Sequence, residues 1–261
     1  MLSYEFIQGN NENVCIVFIH DYFGCKETWK LVQRNIQKIG YSSIAIDLPG
    51  WGNSPCLSDD VPYTPRSIAF ELYELLSEQN SKLIIVCHGS SCIIASYLCK
   101  MLMDVEGILM VNPKHEQFPT IFKKCPMYLK RKYLNEYTKA ETVISKLNKQ
   151  HAHAINALPF IGAFQSACDI NILYKYIKSM DCQLYNSVGS VLCPIHVVWS
   201  NFMPITSDAT KIHILLKEIG GATYALIPNI GQFIQHEAPE LLSNQILVFC
   251  TEIIAQSDFK K

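Results

Sequence analysis

Lys82-Leu-Ile-Ile-Val-Cys-His-Gly-Ser-Ser-Cys-Ile-Ile-Ala-Ser-Tyr97 decides how the chain is read. A β-branched apolar run breaks into a turn of small residues, and a helical pattern follows at once. The apolar run has the length and composition of a strand covered on both faces. The turn between strand and helix is too tight for bulky flanks, because the two backbones nearly touch there. With Gly89 at the apex the residues two before and two after are Cys87 and Ser91, both small. With Ser90 at the apex they are His88 and Cys92. With Ser91 they are Gly89 and Ile93. The Gly89 register fits best, and glycine relieves a turn that requires positive φ. A strand–turn–helix of this kind is the setting in which a nucleophile is held at the top of a sheet. Gly89 has no side chain with which to attack.

Working outward, further strands alternate with helical stretches. Strand patterns lie at Ser3–Ile7, Val14–Ile19, Tyr41–Asp47, Val105–Val111, Cys193–Trp199 and Ala222–Ile227. Helical patterns lie at about Glu27–Ile39, Ser67–Glu78, from the elbow to about Met103, at Ser207–Gly220 and at Pro239–Ala255. Trp29, Val32, Ile36 and Ile39 share one side of the first helix. Such alternation predicts an α/β fold with a mostly parallel, doubly wound sheet. The rhythm stops at Asn112-Pro113 and resumes near Cys193. Residues 1–113 and 191–261 therefore read as the core, and 114–190 as a helical cap insertion.

Composition narrows the function classes. The chain has 261 residues, 49% hydrophobic and 17% charged, enough for one large buried core. A net charge of −1 gives no general attraction to nucleic acid. No basic leader with an apolar run, and no stretch of about 18 apolar residues, points to export or a membrane span. Eleven cysteines without a CxxC pair fit small hydrophobes in a reduced, cytoplasmic protein. No glycine-rich phosphate loop follows a strand, so no cofactor is expected. His151 and His153, two apart, would lie on different helix faces, so no metal is expected either. Residues 114–190 carry 11 basic against 5 acidic residues, sharpest at Lys123-Lys124 and Lys130-Arg131-Lys132, while the rest is net acidic. This bias suits a protein partner or an anionic membrane surface, or simply a solvated helix face.

Together these motifs resemble the α/β-hydrolase family, in its cap-bearing branch of esterases, lipases and epoxide hydrolase-like enzymes. His20-Asp21 followed by Gly24 looks like its oxyanion loop. Asp47-Leu-Pro-Gly50-Trp-Gly52-Asn-Ser54 is similar to its Asp-x-x-Gly-x-Gly-x-Ser loop. Gly231-Gln-Phe233, then Glu237-Ala-Pro239, looks like its terminal Gly-His-Phe and Glu-x-Pro segment. The resemblance implies a nucleophile, an acid and a base in that chain order. Those positions fall on Gly89, Met203 and Gln232. Glycine cannot attack, methionine cannot steady an imidazolium, and an amide has no pKa near neutrality.

The expectation is therefore a scaffold without hydrolase activity that binds a small acyl or anionic ligand, or a partner. Asp21, Tyr22, Ser90 and Ser91 are the candidate ligand-binding residues, with the Ser90 and Ser91 N–H groups aimed at the pocket. Asp21, standing where a glycine is usual, would repel an anion there. The alternative is an active serine esterase with a relocated pair, drawing on Ser90 or Ser91 with His88 or His236. On the plainer reading Ser90 and Ser91 cap the helix, His88 packs under the elbow and His236 is exposed on the loop leading into the last helix.

Overall fold

The computed structural model describes residues 1–21, 24–113, 191–200 and 220–258, with 172, 175, 176, 188 and 189. The expected helix at Ser207–Gly220, Met203, Tyr22 and nearly all of the 114–190 segment lie outside the described residues.

The apolar runs that lack alternation are the ones buried on both faces. In β4 (Lys82–His88), Leu83, Ile85 and Cys87 enter one core while Ile84 and Val86 enter the other. That division is the period-two consequence of a strand between two layers. β2 (Asn11–Ile19) lies on one side of β4, and β5 (Val105–Val111) on the other. β1 (Tyr4–Ile7), β3 (Tyr41–Ile46), β6 (Ile195–Ser200) and β7 (Thr223–Ile227) complete a sheet ordered β1-β3-β2-β4-β5-β6-β7. Only β1 runs antiparallel, paired with β3 at the sheet's edge, and the other pairings are parallel.

Helices cover both faces. α2 (Pro65–Leu76) and α3 (Ser91–Leu98) pack together in one layer with Val17, Ile85 and Val197 of the sheet. α1 (Lys30–Lys38) packs against α5 (Pro239–Asp258) in the other, over Ile16, Ile84 and Val198. The short α4 (Ile234–Glu237) leads into α5. Gly107 in β5 admits this layer: a Cβ there would run into the Ile253 side chain and the Phe249 ring.

Several boundaries differ from the sequence reading, each for a physical reason. α1 is shorter than its pattern because Lys26–Trp29 forms a 3-10 turn first. Ile39, expected on the buried side, is 52% exposed as the cap residue beyond the helix. α2 begins at Pro65, where the Thr64 hydroxyl accepts the Ser67 N–H (3.0 Å) and proline occupies a position that needs no N–H. α3 ends at Leu98 rather than near Met103, although the apolar pattern runs on. β2 starts at Asn11, three residues before the expected Val14.

The buried ion pair of Lys26 and Asp47 is a feature the sequence did not disclose. Lys26 Nζ donates to Asp47 Oδ2 (2.7 Å) and the Lys26 main-chain N–H to Asp47 Oδ1 (2.7 Å). Asn53 N–H also donates to Oδ2 (3.0 Å), and Ser54 Oγ–H to the Asp47 carbonyl (2.7 Å). Burial favours loss of the Lys26 proton, but the hydrogen bond and charge of Asp47 outweigh it and raise the ammonium above its usual pKa. One carboxylate thus joins the start of the first helical turn to the Gly50–Ser54 loop.

Candidate functional site

The elbow forms in the expected register. Gly89 sits at the apex with φ +62°, and its N–H donates to the Val111 carbonyl (2.9 Å). Ser91 Oγ accepts the His88 N–H (3.1 Å) and lies 2.8 and 3.1 Å from the carbonyls of His88 and Ile19. It therefore stitches the underside of the turn to β4 and β2.

Asp21 crowns the turn. Its main-chain carbonyl accepts the Gly24 N–H (2.7 Å) and His20 Nδ1–H (2.7 Å). His20 Nε2 in turn accepts the Leu48 N–H (3.0 Å), which fixes the proton on Nδ1. Burial lowers the His20 pKa, so the ring stays neutral. With its backbone so held, Asp21 directs its carboxylate at the elbow. Oδ1 accepts both the Ser90 N–H (3.0 Å) and the Ser90 hydroxyl (2.5 Å). A Cβ built on Gly89 would collide with the same carboxylate. Asp21 is 2% exposed.

This geometry changes two expectations. The Ser90 N–H, expected to face a ligand, is paired with an acceptor from the chain itself. Asp21, expected to repel an anion at this spot, fills the spot with its own carboxyl oxygen. Nor does the Ser90 hydroxyl cap α3, since it is turned to Asp21.

The terminal loop meets the elbow through main chain. The Gln232 carbonyl accepts His88 Nε2–H (3.0 Å) and Asn112 Nδ2–H (2.9 Å). Because that carbonyl can only accept, His88 carries its proton on Nε2, and Nδ1 faces the Gln235 amide (3.4 Å). Asn112, at φ +43°, reaches on to β6: its Oδ1 accepts the Ser200 N–H (2.8 Å). The Glu237 carboxylate accepts the Gly231 (2.8 Å) and Phe233 (3.3 Å) N–H groups and closes the loop. Elbow, β5 end, β6 end and terminal loop are thereby one connected polar network. Gly89 and Gln232 are brought to this common region.

Among the fallback candidates, the serine hydroxyls and the His88 ring are committed elsewhere, Ser90 to Asp21 and His88 to Gln232 and Gln235. His236 corrects the sequence reading. It lies in α4, 6% exposed, its ring 6.3 Å from Phe233. Burial, then the nearby His88, lowers its pKa from 6.5 to about 3. A ring that resists protonation so strongly is a poor base near neutrality.

The same shift makes stability depend on pH. Unfolded, His236 binds a proton near pH 6.5, and folded only near 3. Its contribution is therefore complete above about 6.5 and is lost as pH falls toward 3. The loss reaches about 2 kcal/mol by pH 5. Burial lowers His20 and His196 in the same direction. Thermal midpoints measured between about pH 7.5 and 5 should fall steadily, and the slope should be shallower in His236→Gln. An unchanged slope in that variant would contradict the assignment.

In the Gly50–Ser54 loop, Trp51 packs edge-on against Tyr176 (5.3 Å) and near His20 (6.5 Å). Tyr176 and Ile172, from the sequence read as a cap, are buried here. Among the described residues a Cys25, Glu27 and Asp47 cluster has ligand-like spacing, but the Lys26 ammonium already lies on both carboxylates (2.7 and 3.3 Å). No helix among the described residues is long and apolar enough to cross a membrane.

A mostly parallel sheet wrapped on both faces, with an elbow after β4 and a Gly-x-Phe loop after β7, is the α/β-hydrolase fold. Solved structures agree with this assignment. An esterase from Thermogutta terrifontis is 15% identical, with 97% of this chain and 93% of that one covered at a TM-score of 0.76. A carboxylesterase structure from Nitrososphaera gargenis is 16% identical over 98% and 96%, also at 0.76. The enol-lactonase from Burkholderia xenovorans is 13% identical over 96% of each chain at 0.76. At such identities the likeness is one of fold. In sequence, the chain is 34% identical over 123 residues to a probable lysophospholipase, BODYGUARD 4, of Arabidopsis thaliana. That match spans 44% of this chain and 27% of the relative. No family model matches the chain.

Proposed function

We propose that this chain is a non-hydrolytic member of the α/β-hydrolase fold, a binding protein with its three triad positions at Gly89, Met203 and Gln232 substituted. The observation that carries the reading is the Asp21 carboxylate seated on the Ser90 N–H and hydroxyl above a side-chain-free apex. Hydrolysis needs that N–H for the developing oxyanion, and removing one such donor commonly costs about 10²–10³ in rate. A donor satisfied by a fixed carboxylate is removed in the same sense. The absent nucleophile and base compound the loss.

Binding then moves from the elbow to the cap. With its strongest donors taken, the elbow favours a neutral acyl group over a strong anion. The basic bias of residues 114–190 supports a protein partner or an anionic membrane surface as the second contact. Eight free thiols among the described residues support a reducing, cytoplasmic setting.

The relocated-pair reading draws on the lysophospholipase relative. The two are separated by incubating the protein with a fluorophosphonate probe, short-chain esters and lysophosphatidylcholine. Neither labelling nor turnover above Ser90→Ala and Ser91→Ala controls is expected. Turnover abolished by either substitution would replace the binding role with catalysis.

A further inference from the structure

β7 is the last strand of the sheet, and among the described residues no strand pairs with its outer edge. A sheet edge presents a row of main-chain donors and acceptors, which chains guard with charges, proline or a covering element. Thr223-Tyr-Ala-Leu-Ile227 has neither charge nor proline. Tyr224 is 58% and Leu226 49% exposed, although both are large and carry no charge. The opposite edge is guarded. β1 contains Glu5, and the Gln33 amide donates to the Glu5 carbonyl (3.3 Å).

α5 lies beside the β7 edge. Its Phe249, Glu252 and Ile253 line one cleft with Ala222 and Thr223. Thr223 holds His196 Nδ1 (2.7 Å) and Ile227 enters the core beneath α5, so the odd-numbered residues of β7 face this helix. Leu241, Val248 and Glu252 share one arc of about 40° on the helix. Leu241 and Val248 are exposed there, so an apolar stripe runs beside the open strand.

We propose that β7 is the contact between two copies of this chain, paired antiparallel across a two-fold axis at Ala225. Any strand can satisfy an edge. A second copy is selected because this strand matches its own reverse. About the axis Thr223 lies opposite Ile227 and Tyr224 opposite Leu226, so an aromatic–aliphatic pair forms twice on one face. On the other face the axis passes Ala225, the smallest side chain of the strand. The two α5 helices can therefore approach there, with Leu241 and Val248 between them. Glu252 lies level with the start of β7, so the antiparallel arrangement carries the two carboxylates to opposite ends of the joined strands. Such a contact is isologous and closes at two copies. Pairing β7 with β1 of the next copy would instead be head-to-tail and leave an edge free at each end. In the closed dimer one continuous sheet runs through both copies, and the two elbows open in opposite directions. The contact does not depend on whether the elbow hydrolyses esters.

The full chain is followed by sedimentation equilibrium from micromolar to submillimolar concentration. The mass should approach about 59 kDa, twice 29.6 kDa. Over the same range, hydrogen exchange of the amides in Thr223–Ile227 should slow, a measurement that needs no substitution. Tyr224→Lys and Leu226→Glu should each raise the dissociation constant at least about tenfold. The chain carrying both substitutions should regain the dimer, because opposite charges then face each other across the axis at 224 and 226. A mass that stays at one copy, a mass that climbs past two, or a dimer untouched by both single substitutions would overturn the proposal. So would a double substitution that leaves the chain monomeric.

Discussion

Gly89→Ser should destabilise the protein by about 2–4 kcal/mol and restore no ester turnover. The substitution adds a side chain at φ +62° and drives its Cβ into the Asp21 carboxylate. Either the loop carrying Asp21 shifts, or the serine is held off its usual rotamers. On the proposed assignment Gln232 holds the base position, and its amide cannot take a proton from the new hydroxyl. A double-substitution cycle separates the contact from generic strain. Asp21→Gly alone leaves the buried Ser90 N–H without its acceptor and should cost about 2–3 kcal/mol. Combined with Gly89→Ser it also removes the collision, so the pair should be less damaging than the sum by at least about 1 kcal/mol. Additive losses in urea unfolding would mean that the two positions do not touch.

The second large effect belongs to the ion pair of Lys26 with Asp47, which ties down the Gly50–Ser54 loop. Lys26→Met strands a buried carboxylate and should cost about 3–5 kcal/mol. Asp47→Ala should cost more, because it strands the Lys26 ammonium and the main-chain N–H groups of Lys26 and Asn53 together. Denaturant midpoints of the two variants give the order. If Lys26→Met proved the more damaging, the ammonium rather than the main-chain donors would be what holds the loop.

How much of this could be read beforehand follows from the range over which each signal acts. β4 and its turn were legible because a β-branched run and small flanking residues are local. The mostly parallel sheet with helices on both faces followed from strand–helix alternation, whereas the strand order and the antiparallel β1 left no local mark. The end of α3 was not legible, since Tyr97 to Met101 contains neither Gly nor Pro. His236 was misread because a polar side chain next to a helix start suggests solvent, whereas its burial comes from Phe233 and the neighbouring layer. Asp21 was placed on the right loop with the wrong consequence. Its carboxylate turns inward only because residue 89, sixty-eight positions away, has no side chain. Lys26 and Asp47 are 21 residues apart, and nothing in either neighbourhood marks the pairing.

The Gln232 carbonyl has one more consequence. His88 and Asn112 grip the peptide oxygen, and every amino acid possesses one. Whatever stands at 232 can inherit the same path, so the backbone keeps no record of the occupant. Shape-based kinship at this corner is consequently blind to chemistry: a histidine and a glutamine there would trace the same curve.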